Sequence, residues 1–318
     1  MPHGNLQTLS AFLSKPPKQT TVLPVPELPE VEVLVRHLRP WLKNKTIGDV
    51  SVYRARVLSP TTVRTFKKKL RGASFRGVSR RGKYLLFEIR CLGERRTQVL
   101  LGHLGMTGRM YLLPANHPLP KHAAVVMNLG RNKFVFEDTR YFGRLTFDLR
   151  PIRRLGAEPF DEEFTPEKFL EVLKHSRQPI KVRLLAQSIV AGLGNIYVSE
   201  ALFHAKLSPR IPARRLTAAQ ATGLWHAIRQ VLSEAIQRGI TIPLDYAGLG
   251  SKDGLFYFGR EPGVIGSYEE RLCVYARAGQ PCVNCHTAIK RLIQVGRSTF
   301  YCPSCQRGNR GKKQFDAV

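Results

Sequence analysis

Four cysteines late in the chain, Cys282, Cys285, Cys302 and Cys305, follow the spacing C-x2-C-x16-C-x2-C. Two thiolate pairs at this separation can close a tetrahedral site around one zinc ion. A ribbon so short has almost no apolar core, so metal binding would supply its folding free energy. Four thiolates leave no open coordination position, which makes the ion structural. Two disulfides, the competing reading, would use the same sulfurs. The sixteen residues between the pairs carry Lys290, Arg291 and Arg297 and no acidic residue. The zinc would therefore hold a basic hairpin tip against an anion.

The rest of the chain has the same sign. Its 51 Lys and Arg against 23 Asp and Glu give a formal charge of +28, with a pI near 10.4. Such a field suits a phosphate backbone, with counterion release supplying much of the affinity. A membrane is excluded as partner: there is no apolar run of about eighteen residues and no signal-peptide pattern. At 318 residues and 43% hydrophobic, the chain can build two cores. Cys91 and Cys273 lie in apolar surroundings and read as buried thiols. With the zinc spacing, they point to a reducing, intracellular compartment.

These groups need elements to place them. Residues 1–25 hold four prolines and no acidic residue, and read as an unstructured leader or a mis-assigned start. Pro29 suits a first helical position, with Glu30 and Glu32 in the first turn. Val31, Leu34, Val35, Leu38, Trp41 and Leu42 then recur at helical spacing, and Asn44 to Gly48 close the helix. Six short runs follow that read as strands: 84–89, 98–101, 110–113, 123–129, 133–136 and 144–147. Leu129 to Asn132 reads as a hairpin turn, and the density of strands suggests a β-sandwich over residues 26–150. Residues 151–166 read as a linker. Thr217 and Gln220 form a capping box before the stripe Leu224, Ile228, Val231, Leu232, Ala235 and Ile236, which Gly239 ends. The expected fold is α+β multidomain: an N-terminal helix plus β-sandwich, a helical domain over 167–268, the ribbon over 269–306 and a basic tail over 307–318.

Pro26-Glu27-Leu28-Pro29-Glu30-Val31-Glu32 resembles the N-terminal signature of the bacterial formamidopyrimidine-DNA glycosylases. Arg80-Arg81-Gly82-Lys83-Tyr84, His103-Leu104-Gly105-Met106-Thr107-Gly108, Asp138-Thr139-Arg140-Tyr141-Phe142-Gly143 and Gly192-Leu193-Gly194-Asn195-Ile196-Tyr197 follow in that family's order, then the four cysteines. The resemblance spans residues 26 to about 306. It implies a monomeric, cytoplasmic, nucleoid-associated bacterial enzyme acting on damaged double-stranded DNA, with one structural Zn2+ and a helix–two-turns–helix in its helical domain. The implied activity is bifunctional: removal of oxidised purines such as 8-oxoguanine and formamidopyrimidines, then cleavage of the abasic strand by β,δ-elimination.

In the resemblance Pro26 is the nucleophile. An amine attacking C1′ of deoxyribose must be unprotonated, and a terminal α-amine (reference pKa about 7.7–8.0) is better poised than lysine (about 10.4). Glu27 is the implied general acid. Lys83 is the lysine that donates a proton during β-elimination and touches the neighbouring phosphate, and Arg297 serves δ-elimination. Turning the nucleotide out of the stack leaves a void, which Met106, Arg140 and Phe142 would fill. Asn195 at a helix N-terminus, with His122, Arg177 and Lys181, is implied to contact phosphate.

Two features depart from the family. Pro26 is amide-linked to Val25, and an amide nitrogen has no nucleophilic lone pair. A GUG start at Val25, or removal of a leader, would expose it. The segment from Gly239 to Gly263 also differs from the family's loop over the extruded base, which leaves lesion preference open. The alternatives are a glycosylase of the sister family for oxidised pyrimidines, which Leu28 argues against, and a lesion-DNA-binding protein without catalysis.

Overall fold

The computed structural model describes residues 26–240 and 272–307. The expected leader, the divergent loop beyond Ile240 and the basic tail from residue 308 lie outside the described residues. Helix α1 (Leu28–Leu42) starts at the Pro-Glu signature, with Pro29 in its first turn, where a missing N–H breaks no helical bond. Val31, Leu34, Val35, Leu38 and Leu42 are buried as expected, but Trp41 is 52% exposed. In the last turn Leu42 alone continues the buried face. Asn44 then turns left-handed (φ 63°), which closes the helix.

The β-sandwich consists of two four-stranded antiparallel sheets. One has the order β1-β6-β7-β5, from β1 (Val50–Val52), β5 (Gly108–Pro114), β6 (Ala123–Asn128) and β7 (Asn132–Asp138). The other runs β2-β3-β4-β8, from β2 (Ser74–Arg81), β3 (Tyr84–Arg90), β4 (Thr97–His103) and β8 (Arg144–Thr146). The six expected runs are all strands, and the 129–132 turn is made by Leu129 N donating to Asn132 O at 2.8 Å. Strands β1 and β2 are additions to the expectation. In β2 the only large apolar residues, Phe75 and Val78, stand three apart, which breaks the period of two. A β-bulge between Phe75 and Gly77 restores both to the inner face. Helix α2 (Val63–Leu70) is also additional, with Thr62 capping Thr65 N and only Phe66 and Leu70 buried. Phe75, Phe87 and Phe134 meet at centroid distances of 5.6–6.3 Å in the centre of the sandwich.

A second core belongs to α4 (Pro166–Lys174), α5 (Ile180–Leu185), α6 (Asn195–His204) and α7 (Ala218–Ile240). Helix α1 serves both cores: Val31, Leu34, Val35 and Leu38 face the sandwich, whereas Leu28 packs among the helices. The Thr217–Gln220 capping box forms in both directions, at 3.1 and 3.2 Å. The expected α7 stripe is buried throughout. Gly239 does not end the helix. It lies inside α7 against α1, where a Cβ would stand 2.6 Å from Val33 Cγ2. The residue is small because two helices cross there. Residues 151–166, expected as a linker, begin within the short helix α3 (Arg150–Arg153) and include Ala157, bridged to Val190. Among the described residues no helix is long and apolar enough to cross a membrane.

These surroundings separate two glycines of one helix. Nothing lies within 4 Å of a Cβ at Gly223, so Gly223→Ala should stabilise by up to about 1 kcal/mol through helix propensity. Gly239→Ala should instead destabilise by about 1–3 kcal/mol, because Val33 is stiff and the helices must separate. Denaturant midpoints of the two variants check the opposite signs.

Candidate active site and DNA interface

The site forms where α1 meets α6. Backbone docking comes first: Leu28 N donates to Gly192 O at 3.1 Å. This sets the Glu27 side chain against the amino end of α6. Its carboxylate accepts from the N–H groups of Gly194 (2.7 Å), Ile196 (2.9 Å) and Tyr197 (3.3 Å). Gly194 is required by this closeness, since a Cβ there would overlap the Glu27 carboxyl and stand 2.6 Å from Lys83 Nζ. Helix N-termini favour anions, and here the anion is a side chain of the protein itself.

Burial nevertheless dominates. It raises the Glu27 pKa, against the pull of the Lys83 ammonium and of the three N–H donors. Glu30 is also buried. It accepts from Glu27 N at 2.7 Å and from the Tyr197 hydroxyl at 2.8 Å. Burial and the charge of Glu27 push its carboxyl up to about 8. Two adjacent buried carboxyl groups resist both being ionised, so the pair can keep a proton near neutral pH. Pro26, next in the chain to Glu27, is buried with it.

Lys83 sits between β2 and β3 and is buried. Burial lowers its pKa, Glu27 and Glu30 raise it, and Arg297 lowers it. One field therefore joins the four groups. The Lys83 turn is clamped by Glu158, from the segment expected as a linker. Its carboxylate accepts from Gly82 N (2.6 Å), Arg81 Nη1 (2.8 Å) and Arg80 Nη1 (2.6 Å), and Arg80 Nε reaches Glu32 at 2.9 Å. The basic run 80–83, which alone reads as a solvated turn, is thus an ion-paired joint between the two cores. Nearby His103 is pushed down to about 4, first by burial and then by Lys83 and Arg144. It stays neutral, and its Nδ1 accepts from Gly105 N at 3.0 Å. Glu30, Glu158, Tyr197 and His103 were not singled out from sequence as site residues. Glu30, Tyr197 and His103 lie in the quoted motifs, whereas Glu158 had no signal.

The three expected void-fillers come together at the open edge of the sandwich. Met106 and Phe142 are 37% and 43% exposed, unusual for such side chains. Arg140 joins them, with Nη1 3.3 Å from Met106 Sδ and Cζ 4.9 Å from the Phe142 ring centroid. The buried Asp138 carboxylate fixes both loops, accepting from Thr107 Oγ1 (2.6 Å), Arg140 N (3.0 Å) and Gly143 N (2.7 Å). His122 is half-buried beside this loop, its carbonyl accepting from Asp138 N. Arg177 is exposed between α4 and α5.

Two residues expected on phosphate are placed otherwise. Lys181 is wholly buried, and its Nζ donates to Ser199 Oγ (3.3 Å), Ser298 O (3.0 Å) and Thr299 Oγ1 (2.9 Å). Burial pushes it down to about 7. Asn195 heads α6, but its Nδ2 donates to Ser298 O at 2.9 Å, and the free N–H groups beside it belong to Glu27. Both side chains fasten the ribbon to the helices.

The ribbon hairpin pairs β9 (Lys290–Gln294) with β10 (Arg297–Tyr301) through Val295 and Gly296, both at positive φ (48° and 69°), as a two-residue type I′ turn requires. Arg297 leaves that turn exposed to solvent. Glu200 of α6 secures the ribbon's start by accepting from the N–H groups of Cys273, Val274 and Tyr275 at 2.8–3.0 Å. Cys273 packs against the apolar cluster of Phe203, Val274 and Ile289 as expected, but it is half-buried rather than buried, with His204 Nε2 3.9 Å from its sulfur. Cys91 is buried as expected.

The sulfurs of Cys282, Cys285, Cys302 and Cys305 all lie within 4.8 Å of one another. The distances given by individual pairs are 3.4, 3.4 and 3.9 Å. Zinc–sulfur bonds of about 2.3 Å in a tetrahedron demand about 3.8 Å between sulfurs. Asn284 N and Cys305 N also donate to ligand sulfurs. The donor set fits one structural zinc ion with no substrate position.

Comparison with known proteins agrees with this geometry. Residues 25–145 match the formamidopyrimidine-DNA glycosylase N-terminal domain, 155–244 its H2TH domain, and 279–308 the zinc finger found in FPG and IleRS. The Carboxydothermus hydrogenoformans formamidopyrimidine-DNA glycosylase is 38% identical over 89% of this chain and 100% of its own length. That of Janthinobacterium is 35% identical, also over 89% of this chain and its whole length. The Lactococcus lactis enzyme, solved with N7-benzyl-Fapy-dG DNA, superposes with a TM-score of 0.75 at 32% identity, over 89% of this chain and all of its own. Another structure of it, non-covalently bound to abasic-site DNA, gives 0.74. The fold and site define a DNA glycosylase with an H2TH domain and a zinc finger. This chain belongs to the formamidopyrimidine-DNA glycosylase family.

Removing the zinc with a chelator, or changing Cys302→Ser, should unfold the ribbon and release Arg297 while the β-sandwich persists. Metal analysis should give one zinc per wild-type chain and well under one for the variant. Limited proteolysis should then cut first near residues 272–307.

Proposed function

We propose that this chain is a bifunctional DNA glycosylase and AP lyase that removes oxidised purines, 8-oxoguanine and formamidopyrimidines, from duplex DNA as a monomer. The observation that carries this reading is the buried Glu27 carboxyl, held in the amino end of α6 directly after Pro26 and within the field of Lys83. The amine lone pair of Pro26 attacks C1′, and the bond to the base breaks with its electrons leaving on the base. Glu27 supplies the proton for the leaving base or for the ring oxygen as the sugar opens to the iminium. The iminium then acts as the electron sink for loss of the C2′ proton and expulsion of the 3′ phosphate. Lys83 donates a proton and contacts phosphate in that step, and Arg297 assists the second elimination. Met106, Arg140 and Phe142 fill the void left by the extruded nucleotide.

Each residue supports its role by placement. Glu27 is a carboxyl whose pKa is raised, as a proton donor near neutral pH needs. Lys83 is buried and depressed. The wedge residues are exposed, apolar or guanidinium-bearing, and rigidly mounted. Asn195 and Lys181 are assigned here to positioning the ribbon rather than to direct phosphate contact.

The chemistry requires a free Pro26 nitrogen, so we assign the active form to a chain beginning at Pro26. A chain that keeps residues 1–25 has an amide there, and its reading is the second one: a lesion-DNA binder without catalysis.

Borohydride should trap a covalent DNA adduct at Pro26 when the chain starts there. A chain verified by mass to retain residues 1–25 should bind lesion DNA yet trap poorly. Glu27→Gln in the short form should lower base excision by roughly 10²–10⁴-fold and spare more of the cutting of pre-formed abasic sites. Full trapping by the long chain would overturn Pro26 as nucleophile.

A further inference from the structure

The wedge loop has two cationic neighbours that neither the catalytic groups nor the void-fillers account for. Arg54 and Arg56 lie at the start of a 3₁₀ turn (Ala55–Leu58) between β1 and α2. Arg54 Cζ stands 5.2 Å from the Tyr141 ring centroid, and Arg56 Cζ stands 5.9 Å from that of Phe142. Both arginines are exposed. Several other exposed arginines of this acid-poor chain have carboxylate partners, as in Arg36–Glu32, Arg71–Asp49 and Arg150–Asp148. Arg54 and Arg56 have none among the described residues. Among the described residues, Arg54 Nη1 donates only to the neighbouring Tyr53 carbonyl at 3.0 Å.

Their backbone is fixed. Tyr53 N and Arg54 N both donate to Ala124 O, at 2.9 and 3.2 Å. Val57 and Leu58 are wholly buried. The far end of the turn is tied to β8 by Thr61 Oγ1 and Thr146 Oγ1 at 2.7 Å, and Phe147 N donates to Thr61 Oγ1 at 3.1 Å. A guanidinium lying over a ring keeps its N–H fork for an anion, and phosphate matches that fork. Phosphates of one strand recur about every 3.4 Å along the duplex axis. Two guanidiniums two residues apart on a rigid turn suit neighbouring phosphates.

We propose that Arg54 and Arg56 form an additional phosphate-binding arm, each engaging one backbone phosphate beside the base step that Phe142 and Met106 open. The arm rests on the glycosylase reading above. It mounts backbone contacts on the same rigid edge as the wedge, so that insertion and phosphate capture occur together.

The test is equilibrium binding of the full chain to a duplex carrying a tetrahydrofuran abasic analogue, across a salt series. Neutralising one phosphate contact fewer lowers the slope of log affinity against log salt by about 0.9. Arg54→Ala and Arg56→Ala should each show that decrease, and the double variant about 1.8. Arg56→Lys, which keeps the charge, should restore most of the slope. The Arg54→Gln and Arg56→Gln pair repeats the measurement with longer side chains, and unchanged unfolding midpoints exclude misfolding. A double variant that loses affinity but keeps the wild-type slope would overturn the arm, because the arginines would then only support the wedge. A wild-type chain that fails to bind this duplex would overturn the glycosylase reading itself, and the arm with it.

Discussion

The structure turns on one buried carboxylate. Glu27 takes the position at the amino end of α6 that a free anion would otherwise occupy, and in doing so joins a helix of the sandwich to the helical core. Removing it would take the carboxylate acceptor from three N–H groups at the amino end of α6 and a neighbouring counter-charge from the Lys83 ammonium. Each of those losses costs about 1–3 kcal/mol or more when buried. The same residue therefore holds the two halves together and, on the function proposed above, would carry the labile proton. Stability and chemistry are drawn from one set of hydrogen bonds.

Helix α6 extends that constraint to the zinc ribbon. Its first turn binds Glu27, Asn195 and Ser199 reach the ribbon strand directly or through Lys181, and Glu200 grips the ribbon's entry. A short helix thus measures the distance between Glu27 and Arg297. The ribbon contributes little apolar burial, so the metal and these polar contacts fix its orientation. A lysine with three acceptors and a depressed pKa is an expensive fastener, but a directional one.

Much of this was legible in the residues. The cysteine spacing carried the metal site because thiolate geometry translates simply into chain spacing. The strands of the sandwich followed from apolar runs bounded by glycine. Strand β2 did not, because its bulge spoils the alternation and its arginines look like surface. Their partners, Glu32 and Glu158, lie on other elements, and no local pattern records an ion pair across 77 or 78 positions. The surroundings of Lys181 were hidden for a related reason. The family resemblance implied a phosphate contact, and only the tertiary fold shows its head enclosed by Ser199, Ser298 and Thr299. Gly239 illustrates the opposite error, since a glycine late in a helix suggests a stop, whereas helix crossing demanded it.

Asp138 has a wider consequence. By holding the Met106 and Arg140–Phe142 loops with three hydrogen bonds, it would make the proposed wedge a stiff probe rather than a mobile one. A stiff probe surrenders little disorder on contact, so the work of opening a base step falls almost wholly on the duplex. Damaged or weakly stacked steps yield at lower cost than intact ones. On the function proposed above, scanning would then be a mechanical assay of the double helix: a fixed tip would push, and lesions would announce themselves by their compliance before any atom of the base is read.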